Sequence, residues 1–376
     1  MIASPTNRSP ATDGRRTHRR TQAGDTESVA SRIERAISRA AEDRQLQVAA
    51  ASVAAAGAAA VAGKAGIERL RERRDGDSGP SRAYRLKSGE KTKQGLRRIA
   101  SGRVERALGH LSAAENGDAA SSIHDARKDL KKLRSLLRLL RGRIGEETYR
   151  AENGRYREAG KSLAAARDAE VMLETLSALE ERCGDELPSD STAKFRAHLE
   201  DQRRGAEPEL AVATALIAQG RAGLDSWAAQ PGGWRLLEPG LRRSYRRGRK
   251  RMARVASAQS AESVHEWRKR SKDLWYQLRI VRDAWPELVG ETADQAHELS
   301  DLLGDHHDLA VLRAEAVRSR EVFPSSGDLK RLVGLIGSRQ IELLDRALNL
   351  GDRLYAEKPK VFTARIGSYW KSWRSD

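Results

Sequence analysis

IHDARKDLKKLRSLLRLLR at residues 123–141 and VHEWRKRSKDLWYQLRIVR at residues 264–282 are one pattern written twice, 141 positions apart. His124 matches His265, Arg127 matches Arg268, Lys128 matches Lys269 and Lys131 matches Lys272. Leu133, Arg138 and Arg141 match Leu274, Arg279 and Arg282 in the same register. On a helix turning 100° per residue, His124, Arg127, Lys128, Lys131, Arg134, Arg138 and Arg141 fall between about 260° and 40°. Leu130, Leu133, Leu136, Leu137 and Leu140 take the other side. In the second copy His265, Arg268, Lys269, Lys272, Arg279 and Arg282 occupy the same arc, opposite Leu274, Leu278 and Val281. Each stretch therefore reads as an amphipathic helix with a cationic track about 25 Å long at 1.5 Å rise per residue.

On the N-terminal side of the two tracks, GLRR stands at Gly95–Arg98 and again at Gly240–Arg243. After them, LAAARDAEV (Leu163–Val171) aligns with LGDHHDLAV (Leu303–Val311), pairing Asp168 with Asp308. Three matches in order indicate an internal duplication. Prolines mark where helical patterns start or stop, with Pro208 alone inside one. The punctuation predicts helices over 91–115, 119–142, 146–183 and 191–227, then 236–257, 261–284, 287–321 and 327–356. The expected fold is all-α: two pseudo-symmetric antiparallel four-helix bundles, half one about 90–228 and half two about 235–357.

The 376 residues include 70 Lys and Arg against 53 Asp and Glu, a formal charge of +17, with only 5% aromatic residues. Such a charge calls for a polyanionic partner, and the Ala, Leu, Arg and Glu that dominate favour helices over sheets. With 39% apolar residues the chain can bury a core in each half. The lone Cys183 rules out an intrachain disulfide or a thiolate zinc site, and fits a reducing cytoplasm.

Residues 1–83 read as a separate segment, and a net +6 falls within 1–85. Residues 1–27 form a basic arm expected to be disordered, with no secretory signal. A helical pattern over 29–46 runs into Leu46–Gly63, eighteen uncharged residues that are mostly alanine. That length reaches the lower limit for a membrane span, but alanine has little affinity for lipid. The stretch is expected to be a weak helix, and 29–63 a place for self-association or membrane contact. Asp75–Ser81 reads as a linker, with a folded domain over 84–376.

A face of five or six cations is self-repelling, because like charges at i,i+4 destabilise a helix. A single charge run ordinarily marks a solvated face; the same cations in both copies point instead to a ligand. Arg235–Arg254 adds nine basic residues with Glu238 as the only acid and a narrow apolar stripe of Leu241, Tyr245, Met252 and Val255, so Arg242, Arg243, Arg246, Arg249 and Lys250 are exposed or paired with a ligand. Arg97 of the first GLRR belongs to the same candidate set. Guanidinium forks hold phosphate oxygens in pairs and lysine acts as a compact charge, so a mixture suits a flexible phosphate chain. His124 and His265 could donate to phosphate when protonated.

Here the residues resemble the CHAD domain (conserved histidine α-helical domain) family. HDARKDLKKLR from His124, LAAARD from Leu163, HEWRKRSKDLWY from His265 and LGDHHD from Leu303 are similar to its signature, and YRLKSGEKTKQGLRRIA from Tyr84 is similar to its start. The resemblance covers about residues 84–356. It implies two four-helix bundles with a basic cavity between them that binds inorganic polyphosphate, and association with polyphosphate granules. Carried over by residue, the implied binding positions are His124, Arg127, Lys128, Lys131, His265, Arg268, Lys269 and Lys272. Members are often fused to triphosphate-tunnel domains, and residues 1–83 cannot hold such a β-rich module, which removes the expected catalytic part. Leu163–Asp168 departs from the pattern in lacking the counterpart of Gly304. Asp168 and Asp308 read as orienters that pair with the basic helices.

The resulting expectation is a non-catalytic polyphosphate binder of the cytoplasm with no cofactor and no metal. One alternative is a nonspecific nucleic-acid binder, for which Tyr276 projects from the basic face while Trp267 and Trp275 do not. Another is a metal phosphohydrolase using His124-Asp125 and His306-His307-Asp308, although adjacent side chains diverge by 100° on a helix. Tyr369, Trp370 and Trp373 are expected to cover a bundle end.

Overall fold

A computed structural model of the chain describes residues 83–375 apart from 118, 206, 225, 226 and 228–231. The basic arm, the 29–46 helix, the alanine-rich stretch and the 75–81 linker lie outside the described residues. Among the described residues the chain is all-α. The first half contains α1 (Thr92–Glu115), α2 (Ala119–Leu140), α3 (Glu146–Ser162), α4 (Ala165–Cys183), α5 (Ser189–Arg204) and α6 (Leu210–Gly223). The second contains α7 (Trp234–Ser257), α8 (Ala261–Ile280), α9 (Glu291–Arg318), α10 (Ser326–Leu354) and a final α11 (Pro359–Ser375).

The duplication is visible in which helices touch. The pairings α1–α2, α2–α3 and α4–α5 recur as α7–α8, α8–α9 and α9–α10. Two predicted helices of the first half are each broken in two, while their counterparts α9 and α10 run on. Pro208 does not sit inside a helix; it falls between α5 and α6, where it has no N–H to give a helical ladder. Pro239, expected at a helix start, lies inside α7 instead. The other break, at Leu163–Ala164, belongs to the functional site described below. Helix α11, not foreseen as a helix, packs on α7, with buried Trp370 6.0 Å from Trp234.

Local chemistry explains several boundaries. α8 begins with a capping box in which the Ser260 and Ser263 side chains each accept the other's backbone N–H at 3.1 Å. The turn from α2 to α3 uses Gly142 and Gly145, both at φ +84°, a region most side chains avoid. Trp267 is fully buried on the apolar side of α8, and Tyr245 stacks on Phe362 at 3.9 Å under α11.

Gly240 sets the approach of α7 to α2, since a Cβ there would stand 1.9 Å from the Leu139 carbonyl oxygen. Alanine in a helix gains about 1 kcal/mol over glycine. Forcing two backbones apart costs about 1–3 kcal/mol or more, and here the obstacle is backbone that cannot rotate away. Gly240→Ala is therefore expected to lower the melting temperature by several degrees. A raised melting temperature would contradict this packing.

Candidate functional site

The two copies of the basic helix meet directly. The Ser135 hydroxyl of α2 donates to the Asp273 carbonyl of α8 (3.2 Å), and Gln277 Nε2 donates to the Ser135 carbonyl (3.3 Å). Arg138 clamps the buried Asp273 carboxylate at 2.7 and 2.6 Å, and Arg270 holds its other oxygen at 3.1 Å. A second contact between the halves joins α4 to α9 and α10, where Arg182 meets Glu342 at 2.7 Å. This crossing corrects the placement of Tyr276. It projects toward the helix partner, is 2% exposed and lies edge-on to Tyr84 at 6.2 Å, because the crossing occupies that part of the basic arc.

Just N-terminal to the crossing, Lys131 and Lys272 come within electrostatic reach of each other, together with Arg127 and Arg268. Lys131 is exposed, yet its ammonium is held well below the ordinary lysine value. Dehydration by the surrounding protein comes first, then repulsion from Lys272, Arg127 and Arg268, with Asp308 opposing. Because water reaches the ammonium, repulsion among the cations is the firmer cause.

Arg127 and Arg268, equivalent in the repeat, anchor differently. Arg127 donates to the Leu163 and Ala164 carbonyls (3.0 and 3.1 Å) where the helix opens between α3 and α4, and stands 3.6 Å from Asp168. Arg268 lies against unbroken α9 at Gly304, where a Cβ would be 3.4 Å from its Nε. The missing glycine thus has a structural outcome: Ala164 carries the Cβ that Gly304 lacks, and there the helix ends and offers its carbonyls. The Nε of Arg268 and the Nδ1 of His265 are buried atoms without a hydrogen-bond partner. Unsatisfied buried donors call for water or a ligand.

The remaining expected residues divide. His124 and His265 are half-buried at the heads of the helices. Lys128 lies 3.7 Å from Asp125, and Lys269 pairs with Glu266. Arg134 donates to Asn153 (3.3 Å) and is pulled down to about 10 by burial and then by Arg138. Arg141 binds Glu146 through two nitrogens, and Arg282 stands 3.9 Å from Asp294. Arg279 is 7% exposed, turned over Tyr84 and Trp275. Arg97, Arg246 and Arg249 are exposed on α1 and α7, and Arg242 is 3.4 Å from Glu238. The structure therefore gathers Arg127, Lys131, Arg268 and Lys272 with Asp308, whereas Arg138, Arg141, Arg279 and Arg282 are already engaged.

His265 stacks on His307 at 4.2 Å, and both are lowered. Burial comes first for each; Lys269 and Arg268 add to it at His265, and His265 and Arg268 at His307, which falls to about 4. Both shifts favour the neutral imidazole in the free protein. His306 faces away, into a groove of about 610 Å³ between α9 and α10 walled by Val317, Ile341 and Leu344. Among the described residues no group of three or more His, Cys, Asp or Glu is placed to hold a metal. A smaller hollow of about 370 Å³ is lined by Glu158, Glu207 and Glu209 against Lys161, a balance of charge that repels an anion.

Sequence reading missed Asp305. Its carboxyl is raised to about 7, by burial and then by Asp301 and Asp308, against the pull of Arg339 and Arg268. The side chain is open to solvent, so carboxylate repulsion is the firmer cause. Its position inside LGDHHD was the available signal. Also missed was a trio of Ser319, His198 and Glu315 joining α5 to α9. Hydroxyl and carboxylate meet the same ring nitrogen, Nε2, at 2.9 and 3.2 Å. A serine nucleophile needs its base and its orienting acid on different ring nitrogens, so this trio is a structural tie.

A comparison with curated proteins finds no match. Two solved structures share the fold. The CHAD domain from the plant Ricinus communis is 17% identical at a TM-score of 0.52, covering 72% of this chain and 95% of that one. PptA from Streptomyces chartreusis is 14% identical at 0.53, covering 71% of this chain and 100% of that one. The CHAD domain family model matches residues 98–317, which contain both basic helices and their crossing. With that match spanning more than half its length, the chain belongs to the CHAD domain family.

Proposed function

We propose that the chain binds inorganic polyphosphate, without turning it over, on the basic surface shared by α2 and α8. Membership of the CHAD family supports a polyphosphate-related role. The observation that carries the reading is the approach of Lys131 to Lys272, equivalent residues of the two copies, with Arg127 and Arg268 beside them. Four cations drawn together repel one another, and a flexible chain of phosphates relieves that repulsion along its length. Arginine forks and lysine point charges need no base to recognise. Trp275 and Tyr276 are both nearly inaccessible, at 3% and 2%, so they offer no stacking platform to a nucleic acid. Location in the cytoplasm at polyphosphate granules follows as part of the proposal.

A competition of long polyphosphate against single- and double-stranded DNA at several salt concentrations tests it. Polyphosphate is expected to win at each salt; equal preference would instead support a nonspecific nucleic-acid binder. Release of phosphate from polyphosphate by the purified chain in Mg²⁺ or Mn²⁺ would overturn the non-catalytic part.

The site also predicts a pH dependence. The Asp305 carboxyl, pushed up toward neutral pH, stands among Asp301, Asp308, Arg339 and Arg268. A polyanion beside it favours its neutral form, so binding takes up a proton and affinity rises as pH falls through about 7. Lys131, lowered in the free protein by its surroundings and its cationic neighbours, is raised by the same polyanion, a change of the same sign. Affinity measured between pH 6 and 8 should fall several-fold toward pH 8, and Asp305→Asn should flatten that slope.

A further inference from the structure

Four arginines converge at the other end of α2: Arg141 just past its C-terminus, Arg243 and Arg247 on α7, and Arg270 on α8. Arg243 Nη2 donates to the Arg141 carbonyl at 2.9 Å, and the Arg141 guanidinium lies 4.8 Å over Tyr149. Arg141 is matched by Glu146 and Arg270 by Asp273. Among the described residues Arg243 and Arg247 have no carboxylate partner. Both are held below the ordinary arginine value, by burial first; Arg247 and Arg141 then act on Arg243, and Arg270 and Arg141 on Arg247. Between this group and Lys131 lie ten residues of helix, about 15 Å. Within that interval Arg134 and Arg138 are tied to Asn153 and Asp273.

We infer that this cluster is a second anion site, separate from the Lys131–Lys272 site, and that it takes the same class of ligand, phosphoanhydride chains. The inference rests on the polyphosphate reading above. Of the cations foreseen on α7 from sequence, Arg243 is the one that reaches the end of α2, and Arg247, which that reading left out, acts beside it. Two guanidiniums that make no ion pair among the described residues, beside two that do, carry excess positive charge that Asp273 offsets only at longer range at Arg247 and that an external anion neutralises at little reorganisation. Holding two phosphate segments has a consequence for length. A short oligophosphate fills each site independently, whereas a chain long enough to span both gains effective concentration at the second once the first is filled.

Isothermal titration of the full chain with tripolyphosphate and with long polyphosphate tests this, using Lys131→Ala/Lys272→Ala and Arg246→Ala/Arg247→Ala variants, the second removing Arg247 of the cluster together with Arg246, which also acts on Arg243. Arg246 and Arg247 are exposed without ion pairs, so an unchanged melting temperature is expected; Arg247→Gln alone decides the matter if the double variant melts early. The wild-type chain should take two equivalents of tripolyphosphate and each variant one, with long-chain affinity falling at least tenfold in either. Two equivalents retained without Arg246 and Arg247 would overturn the inference. One equivalent in the wild type, abolished in the lysine variant, would overturn the second site and leave the first. One equivalent insensitive to the lysines but lost with the arginines would overturn the first site and leave this one.

Discussion

Reversing Lys131 and Lys272 together to glutamate is expected to reduce affinity for long polyphosphate by at least about 100-fold. A hydrogen bond to a charged group contributes about 1.5–3 kcal/mol, and two are removed. At 1.4 kcal/mol per factor of ten, their loss spans about two to four powers of ten before repulsion from the new carboxylates is added. Lys131 is exposed and Lys272 partly so, and the free protein holds them against mutual repulsion. Folding should therefore be unharmed, and the melting temperature without ligand should hold or rise. Titration over a range of salt gives a second readout, because removing one cation–phosphate pair flattens the dependence of log affinity on log salt by about 0.7 if the chain behaves as a single strand. Charge reversal at Lys93 and Lys371, on exposed surfaces elsewhere, should move affinity far less.

The largest effect on stability is expected at Asp129. This carboxylate, 1% exposed, accepts from Arg103 at 3.1 Å and Arg106 at 3.3 Å, with Lys132 3.9 Å away. Arg103 is fully buried, and above it Tyr84 donates its hydroxyl to the Lys132 carbonyl. Burial raises the Tyr84 phenol far above its ordinary value, so it is no source of negative charge for these cations. Asp129→Ala would leave buried cations uncompensated, at a cost of about 3–5 kcal/mol. For a domain of this size that is a fall in melting temperature on the order of 10 °C. The partner matters more than the charge itself. Arg103→Met with Asp129→Leu should recover only the part of the loss that falls on Arg103, since Arg106 and Lys132 lose the Asp129 carboxylate all the same. Thermal unfolding of the two variants checks both statements, and a mild effect of Asp129→Ala would contradict the uncompensated-charge account.

The basic faces of α2 and α8 were legible because a 3.6-residue period appears in both copies in one register, and a helix face depends on nothing beyond the helix. What depends on how helices cross was not. Tyr276 sits at the right angle for the basic face and is nevertheless buried, because α2 packs there. Arg138 and Arg279 are equivalent by sequence, yet one grips Asp273 and the other turns over Tyr84 and Trp275. The reason lies one helical turn away: Asp129 and Lys132 of the first copy are Arg270 and Asp273 in the second, so the acidic position moves by three residues between copies. The helix break at Leu163–Ala164 was signalled only by the glycine missing opposite Gly304. The charge of +17 announced an anionic partner without locating it; the surface where Lys131 meets Lys272 is a small part of it.

The most direct test of a single site shared by the two copies is the reactivity of individual lysines toward an acylating reagent, read by mass spectrometry with and without long polyphosphate. In the free chain Lys131 should react faster than Lys93 and Lys371, because its lowered ammonium is more often the free amine. Polyphosphate should protect Lys131 and Lys272 together, at the same concentration, and leave Lys93 and Lys371 unaffected. Protection of one without the other, or of neither, would contradict a ligand held between the two histidine-led helices.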